Sequence, residues 1–320
     1  MVAASIIIPT LYREPRLFWQ TVESVLAQDI DHRLFELIIV LNRASLDDQL
    51  LNEFTNRTST VQAAMIQEPR DGLHYARHAG ARNASSDILI YIDDDVILPP
   101  HWLAEYLDGF TRSEAAAAGG RVSPLWEIET PDWLSQVPQN YFSVLDYGDT
   151  PRMLDRKQGI NGCNFAIRKE VLFRVGGFHP DGFRDEERFW HRGDGEYGLL
   201  LKLHALGLQT WYFPDCGLQH VIPADRLTLP RLEKLARGHS VSQAYTFCRD
   251  HRCKWYWVIP AGLAGASLAI FFRIHSKLSM KKAVKYHLRA IKYHTISAYM
   301  IKNLTDPALR KYVMQSDYLQ

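Results

Sequence analysis

Apolar residues in the first 120 positions follow two alternating rhythms. Short β-branched and aliphatic runs at 5–8, 35–41, 61–66 and 88–92 read as strands buried on both faces. Between them, 14–28, 46–56 and 73–84 read as helices, with apolar residues at the helical period as in Phe18, Val22, Val25 and Leu26. A further helix is expected at 101–110. Strand and helix in alternation, with short connections, predict an α/β sandwich on a mostly parallel sheet, with ligands at the carboxyl ends of the strands. From 123 to 158 the pattern is lost. Pro124, Pro131, Pro138 and Pro151, set among Trp126, Trp133, Tyr141 and Tyr147, predict a long aromatic loop region of the kind that is functional or mobile. Patterning returns in strand-like runs at 163–167 and 209–213 and in a helical run at 197–206.

The end of the chain differs. Residues 255–272 are 18 positions without a formal charge, about the lower limit for a membrane-spanning helix. Pro260, Gly262 and Gly265 weaken a soluble helix but are tolerated in a membrane one. Arg273, Lys277, Lys281, Lys282, Lys285, Arg289 and Lys292 follow, with no acid until Asp306. On an anionic lipid surface each such cation contributes roughly 1 kcal/mol. Three arrangements remain open: a helix lying in the membrane plane or re-entering it, a single span, or a helix packed on the α/β domain or a partner chain. The positive-inside tendency opposes a span, so peripheral attachment to the cytoplasmic face is expected.

Composition narrows the class. With 320 residues, 47% hydrophobic and 23% charged, the chain is globular and is not a disordered or low-complexity sequence. A formal net charge of +1 makes no case for nucleic acid. Its distribution is uneven. Residues 251–320 hold 12 Lys and Arg against 2 Asp and Glu, while the other 250 residues hold 25 against 34. The four cysteines have neither zinc-type spacing nor the density of a disulfide framework, which predicts reduced thiols. Residues 2–4 lead directly into the first strand with no basic-then-apolar leader, so a cytoplasmic location is expected.

Two acidic clusters carry the candidate chemistry. Tyr91-Ile92-Asp93-Asp94-Asp95-Val96 follows an apolar strand directly. Adjacent carboxylates repel, so they need full solvation or a cation. At a strand's carboxyl end, a few hard oxygen ligands suit Mg²⁺ or Mn²⁺, which complete their shells with water and substrate phosphates. The second cluster, Gly193-Asp194-Gly195-Glu196, precedes a helix that begins near Tyr197. Either acid is an ordinary helix cap, or its flanking glycines leave it uncovered as a general base.

Taken together, the motifs resemble an inverting family 2 glycosyltransferase of the GT-A type. Those carrying the resemblance are Ser5-Ile6-Ile7-Ile8-Pro9-Thr10 with Arg13, the segment 73–80, Asp93-Asp94-Asp95, Asn161-Gly162-Cys163-Asn164-Phe165-Ala166-Ile167-Arg168, Gly176-Gly177-Phe178, and 193–196. They recur in family order over about residues 4–240. The resemblance implies a GT-A nucleotide-binding sandwich at 1–245, with a nucleotide-sugar half at 1–122 and an acceptor half at 123–245. A helical, basic, membrane-associating region follows at 246–320. Pro9, Thr10 and Arg13 would border the nucleotide, Arg77 would approach it, and Asp93 and Asp94 belong to the D-x-D element. Asp95 would ligate the metal, Asp93 would contact the ribose or a metal-bound water, and His220 would complete the metal shell. Glu196 falls at the catalytic base, with Asp194 the alternative. Arg237 would close over the diphosphate.

Two departures from the family pattern stand out. Asn42 replaces the usual nucleobase-binding Asp, and Gly195-Glu196 replaces the usual E-D pair. The implied donor is a UDP-, GDP- or dTDP-linked sugar. The implied acceptor is a saccharide or a lipid-linked molecule in cell-surface polysaccharide or glycoconjugate synthesis. Two rivals remain. A sugar-1-phosphate nucleotidyltransferase would want a Gly-rich phosphate loop after the first strand, where Pro9-Thr10-Leu11-Tyr12-Arg13 stands. A membrane-docked, non-catalytic scaffold would not need Asp93, Asp94, Asp95 and Glu196 intact.

Overall fold

β1 (Ala4–Thr10), β2 (Phe35–Asn42), β3 (Gln62–Glu68) and β4 (Ile88–Ile92) stand on the four apolar runs. The structure, a computed structural model, describes residues 2–183, 185–279 and 282–319, so Lys281 of the basic run lies outside the described residues. Between these strands lie α1 (Pro15–Leu26), α2 (Asp48–Arg57) and α3 (Leu73–Asn83), followed by the short β5 (Val96–Ile97) and α4 (Trp102–Arg112). α1 opens with a proline at its first position, where no backbone donor is needed. α2 starts from Asp47, whose carboxylate accepts the Leu50 N–H at 2.8 Å.

The rest of the α/β domain adds β6 (Ala115–Gly119), β7 (Val122–Trp126), β8 (Arg152–Met153), β9 (Asn164–Arg168), α5 (Lys169–Arg174), α6 (Gly195–Ala205), β10 (Gln209–Tyr212) and β11 (Leu218–Ile222). The main sheet runs β3-β2-β1-β4-β9-β6-β10-β8. β9 is antiparallel to both of its neighbours and β8 is antiparallel to β10; the other pairs are parallel. A smaller sheet, β5-β11-β7, brings β11 against the segment that follows Asp95. Side chains of β1 alternate between the two faces. Ile6 and Ile8 join Phe18 and Val22 of α1 with Trp102 and Tyr106 of α4. Ile7 joins Ala76 of α3 and Leu199 and Leu203 of α6 on the other face. This is the α/β sandwich the alternating rhythm predicts.

Residues 123–158 are more ordered than a continuous loop. β7 pairs with β11, and 3₁₀ turns form at Asp132–Gln136 and Gln139–Phe142. Pro131 and Pro138 stand directly before these turns, and the apolar side chains serve as packing. Val137 and Phe142 are buried with Leu232, Ala236 and Leu288 of the C-terminal helices.

Those helices are α7 (Leu229–Asp250), α8 (Trp255–Leu278), α9 (Ala283–Thr305) and α10 (Pro307–Val313). α8 and α9 form an antiparallel pair. A Cβ on Gly262 would lie 3.2 Å from Met300 Cβ, and one on Gly265 would lie 3.2 Å from the Tyr293 carbonyl oxygen, so both glycines admit a close approach of α9. The outer face of α8 is uncovered, with Leu263 66% and Ile270 63% exposed. Among the described residues, α8 is the one helix long and apolar enough to cross a membrane. The chain end returns to the α/β domain. The Tyr318 N–H donates to Gly176 O at 2.9 Å, its hydroxyl meets that of Tyr245 at 2.6 Å, and Lys202 Nζ donates to Ser316 O at 2.6 Å. All four cysteines are free thiols.

Candidate active site

A cleft of about 360 Å³ opens at the carboxyl ends of β1, β2 and β4. Pro9, Thr10, Arg13, Asn42 and the run Asp93-Asp94-Asp95 line it, with Arg226 and Arg231 entering from the C-terminal side. The Thr10 hydroxyl donates to Asp94 and accepts the Tyr12 N–H at 2.8 Å. Asn42 is buried, and its amide donates to the carbonyls of Glu68 (3.1 Å) and Arg70 (2.7 Å). A carboxylate in that place could donate to neither. Asn42 therefore ties the end of β2 to the end of β3, and only its carbonyl oxygen is left for a ligand.

On one side of the aspartate run, Asp95 Oδ1 lies 3.2 Å from His220 Nε2. His220 Nδ1 is 3.1 Å from the Phe142 carbonyl oxygen and donates to it, which turns Nε2 toward Asp95; burial would lower the His220 pKa, but the charge of Asp95 outweighs burial and raises it. Arg226 bridges the two, with Nη2 on Asp95 Oδ2 and Nη1 3.2 Å from His220 Nε2. Burial raises the Asp93 and Asp94 carboxyls, Asp94 to about 7, and the charge of Asp95 adds to both shifts. At Asp95 burial is outweighed by His220 and Arg226, which hold its pKa below the usual value. Donor atoms of Asp93, Asp95 and His220 lie within 4.8 Å of one another. Asp95 Oδ1 is buried, and its contact is the ion pair with His220 Nε2 rather than a hydrogen bond. Arg226 already supplies one cation to this group, and the oxygen-rich set of Asp93, Asp95 and His220 also fits Mg²⁺ or Mn²⁺.

The second acidic cluster divides into two environments. α6 starts at Gly195, whose φ of +52° suits glycine. The Glu196 side chain is partly exposed; Oε1 accepts the Gly162 N–H at 3.1 Å and Oε2 accepts from Arg77 Nη1 at 3.3 Å. Arg77 is buried and also contacts Asp181 Oδ2 at 3.3 Å. Burial pushes Asp181 up to about 6, with Arg77 opposing the shift. Asp194 is buried instead. Its oxygens meet His179 Nδ1 at 2.6 Å, the Thr246 hydroxyl at 2.7 Å and Arg249 Nη1 at 2.7 Å. Burial alone would raise its pKa, but these three partners hold it below the usual value. A cavity of about 680 Å³ runs beside Glu196, Tyr197, Asn140 and His239.

Pro9, Thr10, Arg13, Asn42 and the three aspartates thus share one cleft, with His220 on Asp95. Arg77 does not line that cleft but holds Glu196. Arg237 lies elsewhere, its guanidinium 5.0 Å over the Phe189 ring. Besides Arg13, two further cations line the cleft, Arg226 from a short 3₁₀ turn (Ala224–Leu227) that has no period to read and Arg231 from the first turn of α7, and neither gave a sequence signal beyond following His220 closely. Asp181 and Arg249 were likewise missed, since a tertiary approach makes their contacts.

The profile of Glycosyl transferase family 2 matches residues 5–176 of the chain. A glucosyl-dolichyl phosphate glucuronosyltransferase of Haloferax volcanii is 27% identical over 175 residues, which are 53% of this chain and 54% of that protein, about half the relative's length. The succinoglycan biosynthesis protein ExoM of Rhizobium meliloti is 22% identical over 70% of this chain and 68% of its own. Among solved structures, the mannosyltransferase PcManGT from Pyrobaculum calidifontis, in complex with GDP-Man and Mn²⁺, shares the fold with a TM-score of 0.59. That match has 18% identity and covers 95% of this chain and 87% of the other.

Proposed function

The chain belongs to glycosyltransferase family 2 and is a sugar-transferring enzyme, and from that premise we propose an inverting transfer from a UDP-, GDP- or dTDP-linked donor to a saccharide or lipid-linked acceptor. A divalent metal, Mg²⁺ or Mn²⁺, would be held by Asp93, Asp95 and His220. The observation carrying this reading is the convergence of Asp93, Asp95 and His220, whose donor atoms lie within 4.8 Å of one another.

In this reading the nucleoside lies against Pro9, Thr10, Arg13 and Asn42, and the diphosphate reaches toward the aspartate run. When bound, the metal supplies Lewis-acid charge that offsets the diphosphate and its departure. Arg226 and Arg231 take the diphosphate-facing role that the sequence reading gave to Arg237. Glu196, oriented by the Gly162 N–H and by Arg77, takes the proton from an acceptor hydroxyl as that oxygen attacks the anomeric carbon opposite the leaving group. The bond to the diphosphate oxygen breaks, and the configuration inverts. The buried, fully partnered Asp194 supports a structural role and favours Glu196 as the base.

The names of the haloarchaeal and rhizobial relatives support an acceptor from polysaccharide or lipid-linked glycoconjugate synthesis. The division into a donor half at 1–122, an acceptor half at 123–245 and a C-terminal membrane-associating region is part of the proposal. The outer face of α8 with its flanking cations supports docking on the cytoplasmic face of an anionic membrane.

Calorimetric titration with UDP, GDP and dTDP, in Mn²⁺, in Mg²⁺ and in EDTA, tests the core of this reading. One nucleotide is expected to bind, and only with metal. Equal affinity in EDTA removes the metal. No binding under any condition would leave the non-catalytic scaffold. A panel of nucleotide-sugars assayed for hydrolysis then names the donor.

A further inference from the structure

A second cavity, of about 380 Å³, lies between the turns at 132–142 and helices α7 and α9. Its walls include Lys285, Arg289 and Lys292, and no carboxylate stands among its described lining residues. The three cations sit at i, i+4 and i+7 of α9 and therefore share one face. None forms an ion pair with a carboxylate among the described residues; the nearest such pair on α9 is His287 with Glu233. Burial and the charge of Arg289 both lower the Lys292 pKa. The Arg289 guanidinium also lies 5.3 Å over the Phe272 ring of α8, and three like charges around one partly enclosed space repel, an arrangement that an anion relieves.

The position of this cavity ties it to catalysis. Asn140, His239 and Gln243 line both it and the cavity beside Glu196, so the two spaces share a wall. The nucleotide cleft shares none of these residues. α9 also packs on α8, whose outer apolar face is uncovered.

We propose that Lys285, Arg289 and Lys292 hold a phosphate or diphosphate group carried by the acceptor, so that the sugar-bearing part of the acceptor lies in the adjoining cavity at Glu196. This deepens the proposed transfer and rests on it. Arg289 offers a guanidinium fork suited to a phosphate, and the two lysines add point charges. The group would arrive either on a lipid headgroup or on a water-soluble sugar phosphate; the recognising chemistry is the same.

The 320-residue protein is titrated with inorganic pyrophosphate in EDTA, which keeps the metal-dependent nucleotide cleft out of play. Binding is expected, weakening as salt rises, and Lys285→Ala/Lys292→Ala should lower affinity at least tenfold. Lys285→Arg/Lys292→Arg keeps the charge and should bind as wild type, which separates charge from folding damage. Nucleoside diphosphate affinity in Mn²⁺ should be unchanged in both variants. Flotation with neutral phosphatidylcholine vesicles, with and without a polyprenyl phosphate, then separates the sources. Added retention that the alanine variant loses assigns a lipid-borne phosphate, and pyrophosphate binding without added retention assigns a soluble one. No pyrophosphate binding, or binding equal in wild type and the alanine variant, overturns the proposal. If nucleotide binding in Mn²⁺ persists, that failure belongs to this cavity alone; if nucleotide binding is absent as well, the transfer reading itself has failed.

Discussion

Arg77 Nη1 reaches Glu196 Oε2 at 3.3 Å across 119 positions of chain, and Gly162 makes that approach possible. A Cβ on Gly162 would stand 2.2 Å from Arg77 Nη2 and 3.1 Å from Glu196 Oε2. The same glycine donates its N–H to Glu196 Oε1 at 3.1 Å. The carboxylate is therefore aimed by one backbone donor and one buried guanidinium, and the guanidinium can approach only a residue without a side chain at 162.

Gly162→Ala should accordingly displace Arg77 and swing Glu196 off its position. A loss of aim of this size costs on the order of 10²-fold in transfer rate. Nucleoside diphosphate affinity, measured by calorimetry, should stay within twofold, because the glycine does not line the nucleotide cleft. A normal rate in Gly162→Ala would show that the Arg77–Glu196 pair does not matter to transfer.

Glu196 and Asp194 should separate by what their loss damages. Glu196→Gln keeps shape but cannot take a proton, so transfer should fall about 10²–10⁴-fold with stability unchanged. Asp194→Asn removes the charge facing Arg249 and His179, and breaking a buried pair this way costs roughly 3–5 kcal/mol, read by chemical denaturation. The Asp194 contribution also has a pH signature. Its folded pKa lies below the ordinary 3.8, so the stabilisation is fully present above that value and is lost as pH falls through the folded pKa. The wild type should lose this increment in acid, and Asp194→Asn should not. The reverse pattern, a stable but inactive Asp194→Asn, would make Asp194 the base.

What the sequence made legible follows from how local each signal is. Ile6, Ile7 and Ile8 announce a buried strand because the alternation of faces is written in three adjacent residues. Asp93, Asp94 and Asp95 announce a cation site because their repulsion is a property of neighbours. By contrast, Ala115–Ala118 form the core strand β6 although alanine favours helices. At the end of that strand Ile160 comes so close that its Cγ2 would lie 2.1 Å from a Cβ on Gly119, a tertiary approach with no trace in the local pattern. Arg226 acts through a fold-made approach to Asp95 and left no pattern, whereas Arg237 had the family position but packs on Phe189.

Arg226 gives the metal proposal its sharpest test. Its fork occupies Asp95 Oδ2 and His220 Nε2, two of the donors a metal would want. Asp95→Asn should lower Mn²⁺-dependent nucleotide affinity at least tenfold, about 1.4 kcal/mol, with no change in EDTA. Arg226→Ala removes a competing cation, so Mn²⁺ alone should bind this variant more tightly than wild type. Unchanged Mn²⁺ affinity in both variants, by calorimetry, would remove the metal from Asp93, Asp95 and His220.

The outer face of α8 makes the membrane reading testable without cutting the chain. Truncation near Asp250 would strip the cover from Val241, Ala244 and Tyr245, which share a core with Val258, Tyr299 and Val313, so a cut protein would report on folding rather than on docking. Leu263→Glu/Ile270→Glu avoids that problem. Both side chains are more than 60% exposed, and neither is among the residues that pack α8 onto α9. The exposed cations Arg273, Lys277 and Lys282 stay in place. The wild type should float with phosphatidylglycerol vesicles at low salt and detach as salt shortens the Debye length to about 8 Å at physiological strength. The double variant should fail to float while keeping its melting temperature and its nucleotide affinity. An in-plane helix also places Trp255 and Trp257 at the headgroup level, where binding should blue-shift tryptophan emission. If the wild type ignores anionic vesicles at low salt, the apolar face of α8 covers another protein chain instead, and the double variant should then change the oligomeric state measured by sedimentation.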